Sequence, residues 1–188
     1  MNQVTPGCAV LMCVVFGVSA AGKLGGGRWR AFMASTGLLR LLPPSLRTWA
    51  AGAVVVAEPA IAAALAGAVV LGDPLAEVAG FAGAAALLMV FTGAIVMSLR
   101  RGDRTPCRCF GAGATPLGWP HVMRNAVLLI VAGVGLAGAA AGGAPQPGAA
   151  LVSGVAGGAF GLLLVRFDDL VDLFRPATRV GDGVRGNR

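Results

Sequence analysis

Two cysteines one residue apart form the most reactive pattern in this chain, in the segment Pro106-Cys107-Arg108-Cys109-Phe110-Gly111. No packing argument calls for cysteine in such a loop. Arg104 and Arg108 stand beside the pair, and nearby cations favour the thiolate, the nucleophile of disulfide exchange. A Cys-x-Cys disulfide closes only a small, strained ring, which makes it oxidising and exchangeable. Thiol–disulfide chemistry at Cys107 and Cys109 is therefore the leading expectation, with a structural disulfide or inert pair and a soft-metal site as alternatives. No second cysteine pair completes a zinc set and the one histidine, His121, is far away in sequence, so no metal is assigned. His121 reads as an interfacial polar residue. Cys8 and Cys13 lie five apart, about 7.5 Å along a helix and on different faces. They are too distant to bridge each other and read as small buried apolar residues.

Glu58 is the second chemical candidate. It falls inside a long apolar run and is followed directly by Pro59. A carboxylate near the bilayer midplane costs several kcal/mol unless it is protonated, paired or hydrated. Pro59 removes one backbone hydrogen bond from the same turn. The two together mark an intramembrane polar site, either a proton or ligand site or a Glu hydrogen-bonded across helices, for example to Ser19 or Thr92.

Composition fixes the setting. Only 12% of the 188 residues are charged and 56% are apolar, about half the charge of an ordinary soluble domain. A soluble enzyme and a disordered chain are both excluded. Apolar runs predict an all-α integral membrane protein with about five transmembrane helices, near Val4 to Ala21, Trp49 to Gly72, Val78 to Leu99, Asn125 to Gly142 and Ala149 to Val165. Residues 1–166 read as one membrane domain and 167–188 as a short polar tail. The first run is read as a retained helix, since Met1 to Pro6 carry no basic residue.

Charge orients the bundle. Lys23 to Arg47 and Arg100 to Arg124 are basic stretches, whereas the turn after the second helix holds only Asp73 and Glu77. By the positive-inside rule the amino terminus faces outside and the tail the cytoplasm. The net charge of +7 is thus topogenic, with no aromatic interleaving that would suit nucleic acid. Trp29, Phe32 and Met33, with Arg28 and Arg30 between them, suit a segment lying along the interface that ends at Pro43-Pro44. Arg124 and Asn125 are expected to open the fourth helix, Arg reaching headgroups and Asn capping backbone amides. Gly154/Gly158 and Gly157/Gly161 have the spacing of close helix contacts.

Taken together, Phe16-Gly17 through Gly22-Lys23-Leu24, Phe32, Leu41-Leu42-Pro43, Glu58, Cys107-x-Cys109-Phe110-Gly111 and Arg124-Asn125 resemble the MauE family of methylamine-utilisation proteins, related to DoxX-like membrane proteins. The resemblance covers about residues 8–140. It implies a four-helix core, with the fifth helix an addition, and supporting roles for Lys23, Arg108, Arg124 and Asn125. It further implies that the protein assists maturation of an exported disulfide-rich protein, of the methylamine dehydrogenase small-subunit type, beside a thioredoxin-like partner. No cofactor is expected, and the absence of Cys-x-x-C and of quinone, flavin or haem motifs argues against a self-sufficient enzyme. The competing readings are a small-molecule transporter or permease centred on Glu58 and a non-catalytic assembly subunit. One tension stands: an export-side role favours thiols outside, whereas the charge count puts Cys107 and Cys109 inside.

Overall fold

The computed structural model describes residues 2–23, 43–102 and 118–167. The expectations for Trp29 to Leu42, for the Cys107-Arg108-Cys109 segment and for the tail beyond residue 167 lie outside the described residues. Five helices carry the described chain: α1 (Thr5–Lys23), α2 (Pro44–Leu71), α3 (Pro74–Arg100), α4 (Trp119–Ala141) and α5 (Pro147–Val165). Each is long and apolar enough to cross a membrane, so the protein is an all-α, multi-pass membrane protein.

Four helices begin earlier than the apolar runs suggest, α2 and α4 by the most, and each has proline in its first turn. Pro44 stands at the first helical position of α2, with Pro43 extended before it. Proline is tolerated there because its missing N–H would have no intrahelical partner. In the same way Pro120 sits in the first turn of α4, which starts at Trp119 rather than Asn125. The α2–α3 turn is set locally. Gly72 adopts a left-handed conformation at φ 69°, and the Asp73 carboxylate accepts from the amides of Leu75 and Ala76, capping α3.

Side-chain contacts fix the register. Ser19 meets Glu58 and Cys13 meets Ala62, so α1 and α2 are antiparallel. Gly80 and Gly83 meet Leu65 and Ile61, which makes α2 and α3 antiparallel. Asn125 meets Thr92 while Gly135 faces Phe81, and Gly138 lies against Thr5, so α4 runs opposite to both α3 and α1. Helices α1 to α4 close a ring around Met12, Phe16, Leu65, Phe81, Leu88 and Leu128, all fully buried. The fifth helix stands outside that ring and packs on α1.

This ordering explains which helix is most enclosed. α1 is covered by α2 and α4 on the ring side and by α5 on the other, and over half of its span is buried. The α1–α5 contact depends on missing side chains. A Cβ at Gly157 would overlap the carbonyl oxygen of Gly7, and one at Gly7 would lie 2.5 Å from the carbonyl oxygen of Ser153. At Gly161 the nearest atom, the Leu11 carbonyl oxygen, is 3.1 Å away. Gly154 and Gly158 differ, with only Val10 side-chain atoms at 3.8 and 3.5 Å. Of the four glycines with the helix-contact spacing, Gly157 and Gly161 thus form the tight seam. Gly157→Leu should lower thermal stability in detergent by about 1–3 kcal/mol, the cost of overpacking, whereas Gly154→Ala should change it little. Equal unfolding temperatures for Gly157→Leu and wild type would exclude the seam.

A buried ion pair as candidate functional site

The site is assembled from α1 and α2. On α1 the buried positions Met12, Phe16, Ser19 and Lys23 recur at intervals of three and four, one face of a helix. That face is apolar at first and ends in a hydroxyl and an ammonium. Opposite it stands Glu58, at the centre of the 28-residue α2, about 20 Å from either end. The helix is continuous through Pro59, whose lack of an N–H leaves the carbonyl of Val55 without its usual partner.

Lys23 and Glu58 form a salt bridge with side chains 3% and 0% exposed. Ser19 completes a triangle. Its hydroxyl donates to Glu58 Oε1 at 3.0 Å and accepts from Lys23 Nζ at 2.8 Å. Glu58 Oε2 has no hydrogen-bond partner among the described residues. Glu58 therefore does bond across helices to Ser19, one of its two expected partners. Thr92, the other, is engaged elsewhere: it donates to the Leu88 carbonyl at 2.7 Å and accepts from Asn125 Nδ2 at 3.4 Å.

Three expectations need correction. Lys23 is not a loop charge: it lies within α1 and is buried. Arg124 does not reach headgroups from a helix start, and Asn125 does not cap one; both lie in the second turn of α4, 4% and 0% exposed. His121 is buried as well rather than interfacial. These positions follow from helix phase. His121, Arg124 and Asn125 are spaced i, i+3, i+4, and the same stripe continues through Leu128, Ala132, Gly135 and Gly138. Once α4 starts at Trp119, its inward face must begin with three polar side chains.

The register gathers these groups at one level. Gly138 is level with Thr5, so in antiparallel helices Asn125 and Arg124 are level with about residue 18 or 19 of α1, and His121 with about residue 22. Ser19, Lys23, Glu58, Ser98, His121, Arg124 and Asn125 thus occupy the same half of the bundle. The opposite half buries only Thr5 among polar residues described. Gly102 and Gly118, which flank the segment containing Cys107 and Cys109, are at the polar end. Cys8 and Cys13, in contrast, are free thiols in the apolar half; Cys8 is buried as expected, and Cys13 is half-buried. Cys13 Sγ lies 3.4 Å from the carbonyl of Ala62.

The fold and this pair define the class: a polytopic α-helical membrane protein, with an ion pair inside its four-helix ring and lipid against its apolar outer faces. Residues 1–138 match the family model described as methylamine utilisation protein MauE, and the chain belongs to that family. The matched region ends within α4, so it covers the ring, and α5 lies beyond it. No curated protein and no solved structure matches the chain.

Separating the charges tests the pair. Lys23→Met should destabilise the protein by about 3–5 kcal/mol, because it strands a buried carboxylate. Adding Glu58→Gln, which still accepts from Ser19, should recover most of the loss. Unfolding in mixed micelles measures both, and a double variant no more stable than Lys23→Met would show that the charges are uncoupled.

Proposed function

We propose that this protein is a membrane accessory of methylamine utilisation that carries out thiol–disulfide exchange at Cys107 and Cys109, on behalf of an exported disulfide-containing protein. The observation that carries the reading is the family match, whose span, residues 1–138, includes both cysteines. The buried polar layer supports it, since the described ends of the cysteine-bearing segment lie on the same side of the bundle as the Lys23–Glu58 pair.

In the exchange, one thiolate attacks a disulfide of a thioredoxin-like partner and releases one partner thiolate. The neighbouring sulfur then displaces the second, closing the Cys-x-Cys ring. Two electrons pass to the partner, and the partner's thiolates take up protons according to the pH. The strained ring is re-reduced by a dithiol donor, which keeps the cycle exchangeable. Arg108 and Arg104 favour the attacking thiolate by charge. In this reading Lys23, Glu58, Arg124 and Asn125 are positioning residues: Asn125 ties α4 to α3, the two helices from which the segment springs, and Lys23 and Glu58 lock α1 to α2 beside them.

The transporter reading has less behind it. Glu58 is already neutralised by Lys23, so it is not a lone carboxylate awaiting a cation. With the basic stretches on the cytoplasmic side, Cys107 and Cys109 take electrons from that side.

Replacing both Cys107 and Cys109 by Ser should leave the protein in the membrane at normal abundance. Methylamine-dependent growth should be abolished, and the thioredoxin-like partner should accumulate in one redox state. Unchanged growth and unchanged partner redox state would exclude thiol chemistry. A membrane-impermeant maleimide applied to intact cells should leave both cysteines unlabelled and should label them after permeabilisation.

A further inference from the structure

At the end of the bundle opposite the buried ion pair, a cleft of about 970 Å³ opens between α1, the α2–α3 turn, the end of α4 and α5. Its walls are apolar, with Val10, Val69, Leu151 and Val155 among them, and Gly154 and Gly158 leave room along α5. From Asn2 to Val10 and from Pro147 to Gly158 the lining runs about 12–17 Å along the helices. That is about the depth of one leaflet of a ~30 Å hydrocarbon core. The cleft therefore has the length and the lining of a lipid tail.

Among the described side chains its mouth is charged in one sense only. Glu77 lines it, is half-buried, and forms no ion pair with a described residue. The other polar groups nearby are engaged. Asp73 caps α3, Asn2 donates to the Gly142 and Gly143 carbonyls, and Gln3 accepts from the Gln146 amide. Every basic residue among those described, Lys23, Arg47, Arg100, Arg101, Arg124 and Arg166, lies toward the opposite end by the helix register. An anionic headgroup at this rim would meet Glu77 with no basic side chain among the described residues to offset it, whereas an ammonium group would pair with it.

We propose that this cleft binds a phospholipid with an amine headgroup, its acyl chain along α5 and its ammonium at Glu77. The site is independent of the cysteine chemistry. α5 supplies one wall and lies outside the region shared with the family, which makes the cleft a property of this chain's added helix.

The test uses the full-length protein in neutral detergent, titrated with phosphatidylethanolamine or phosphatidylglycerol of identical acyl chains and read by native mass spectrometry. A single phosphatidylethanolamine should be retained about five-fold more tightly than phosphatidylglycerol, the worth of one charge contact near a membrane surface. Glu77→Gln should abolish that preference. Gly158→Leu should weaken retention of both lipids, because a Cβ fits there with 3.5 Å to Val10 and the rest of the side chain enters the cleft. Gly154→Leu makes the same test should Gly158→Leu fail to fold. Equal retention of the two lipids, a preference surviving Glu77→Gln, retention unaltered by the glycine variants, or a lipid-free dimer covering the cleft would each overturn the proposal.

Discussion

Charge inside a membrane is tolerated only when it is neutralised, and in this protein the partner comes from another helix. An isolated carboxylate at the centre of a spanning helix costs about 3 kcal/mol or more, and an unpaired ammonium buried at a helix end is also costly. Neither Lys23 nor Glu58 could be left alone in the bundle without destabilising it. Each is satisfied only when α1 and α2 are antiparallel and in one register, because Ser19 and Lys23 must arrive together at the middle of α2. In hydrocarbon no hydrophobic effect draws helices together, so a pair of this kind specifies an arrangement that apolar packing alone would leave loosely defined. Attraction between the two charges need not exceed their desolvation cost for this to hold; breaking the pair has only to be worse than keeping it.

The same interaction gives α1 its central place. On one face it carries the polar triangle toward α2; on another, Gly7 and its neighbours accept α5 at backbone contact. The two faces use different physics. Toward α2, specificity comes from charge and hydrogen bonds, whereas toward α5 it comes from the absence of side chains, which lets van der Waals contact extend along both backbones. A helix engaged on both sides has little freedom to rotate. Displacing α5 would also open the cleft that it helps to enclose.

Polarity is divided along the membrane normal. Basic residues and buried polar side chains gather at the end from which the two long connections emerge, and the acidic turn with Asp73 and Glu77 stands at the other. This separation suits both a topogenic signal and a division of labour, with polar chemistry at one end and an apolar cleft at the other. It also bears on the sidedness of the proposed thiol chemistry, because the segment with Cys107 and Cys109 springs from the basic end.

Membrane insertion, five spanning helices and the family were legible in the sequence, because hydrophobic length, charge scarcity and the Cys107-x-Cys109-Phe110-Gly111 segment are local properties of the chain. Glu58 was also legible as an intramembrane polar site, since a carboxylate within an apolar run is conspicuous without any fold. Its partner was not. Lys23 lies at the edge of an apolar run, where it reads as a loop charge, and only the stripe Met12, Phe16, Ser19, Lys23 hinted that it points inward. For α4 the starting residue was hidden, because Pro120 reads as a break although the first turn accepts proline. That shift turned His121, Arg124 and Asn125 from surface groups into buried ones. Which carboxylate meets which ammonium, and which glycines touch another backbone, depends on the register between helices. Register is set by side chains far apart in the chain, so tertiary structure alone decided it.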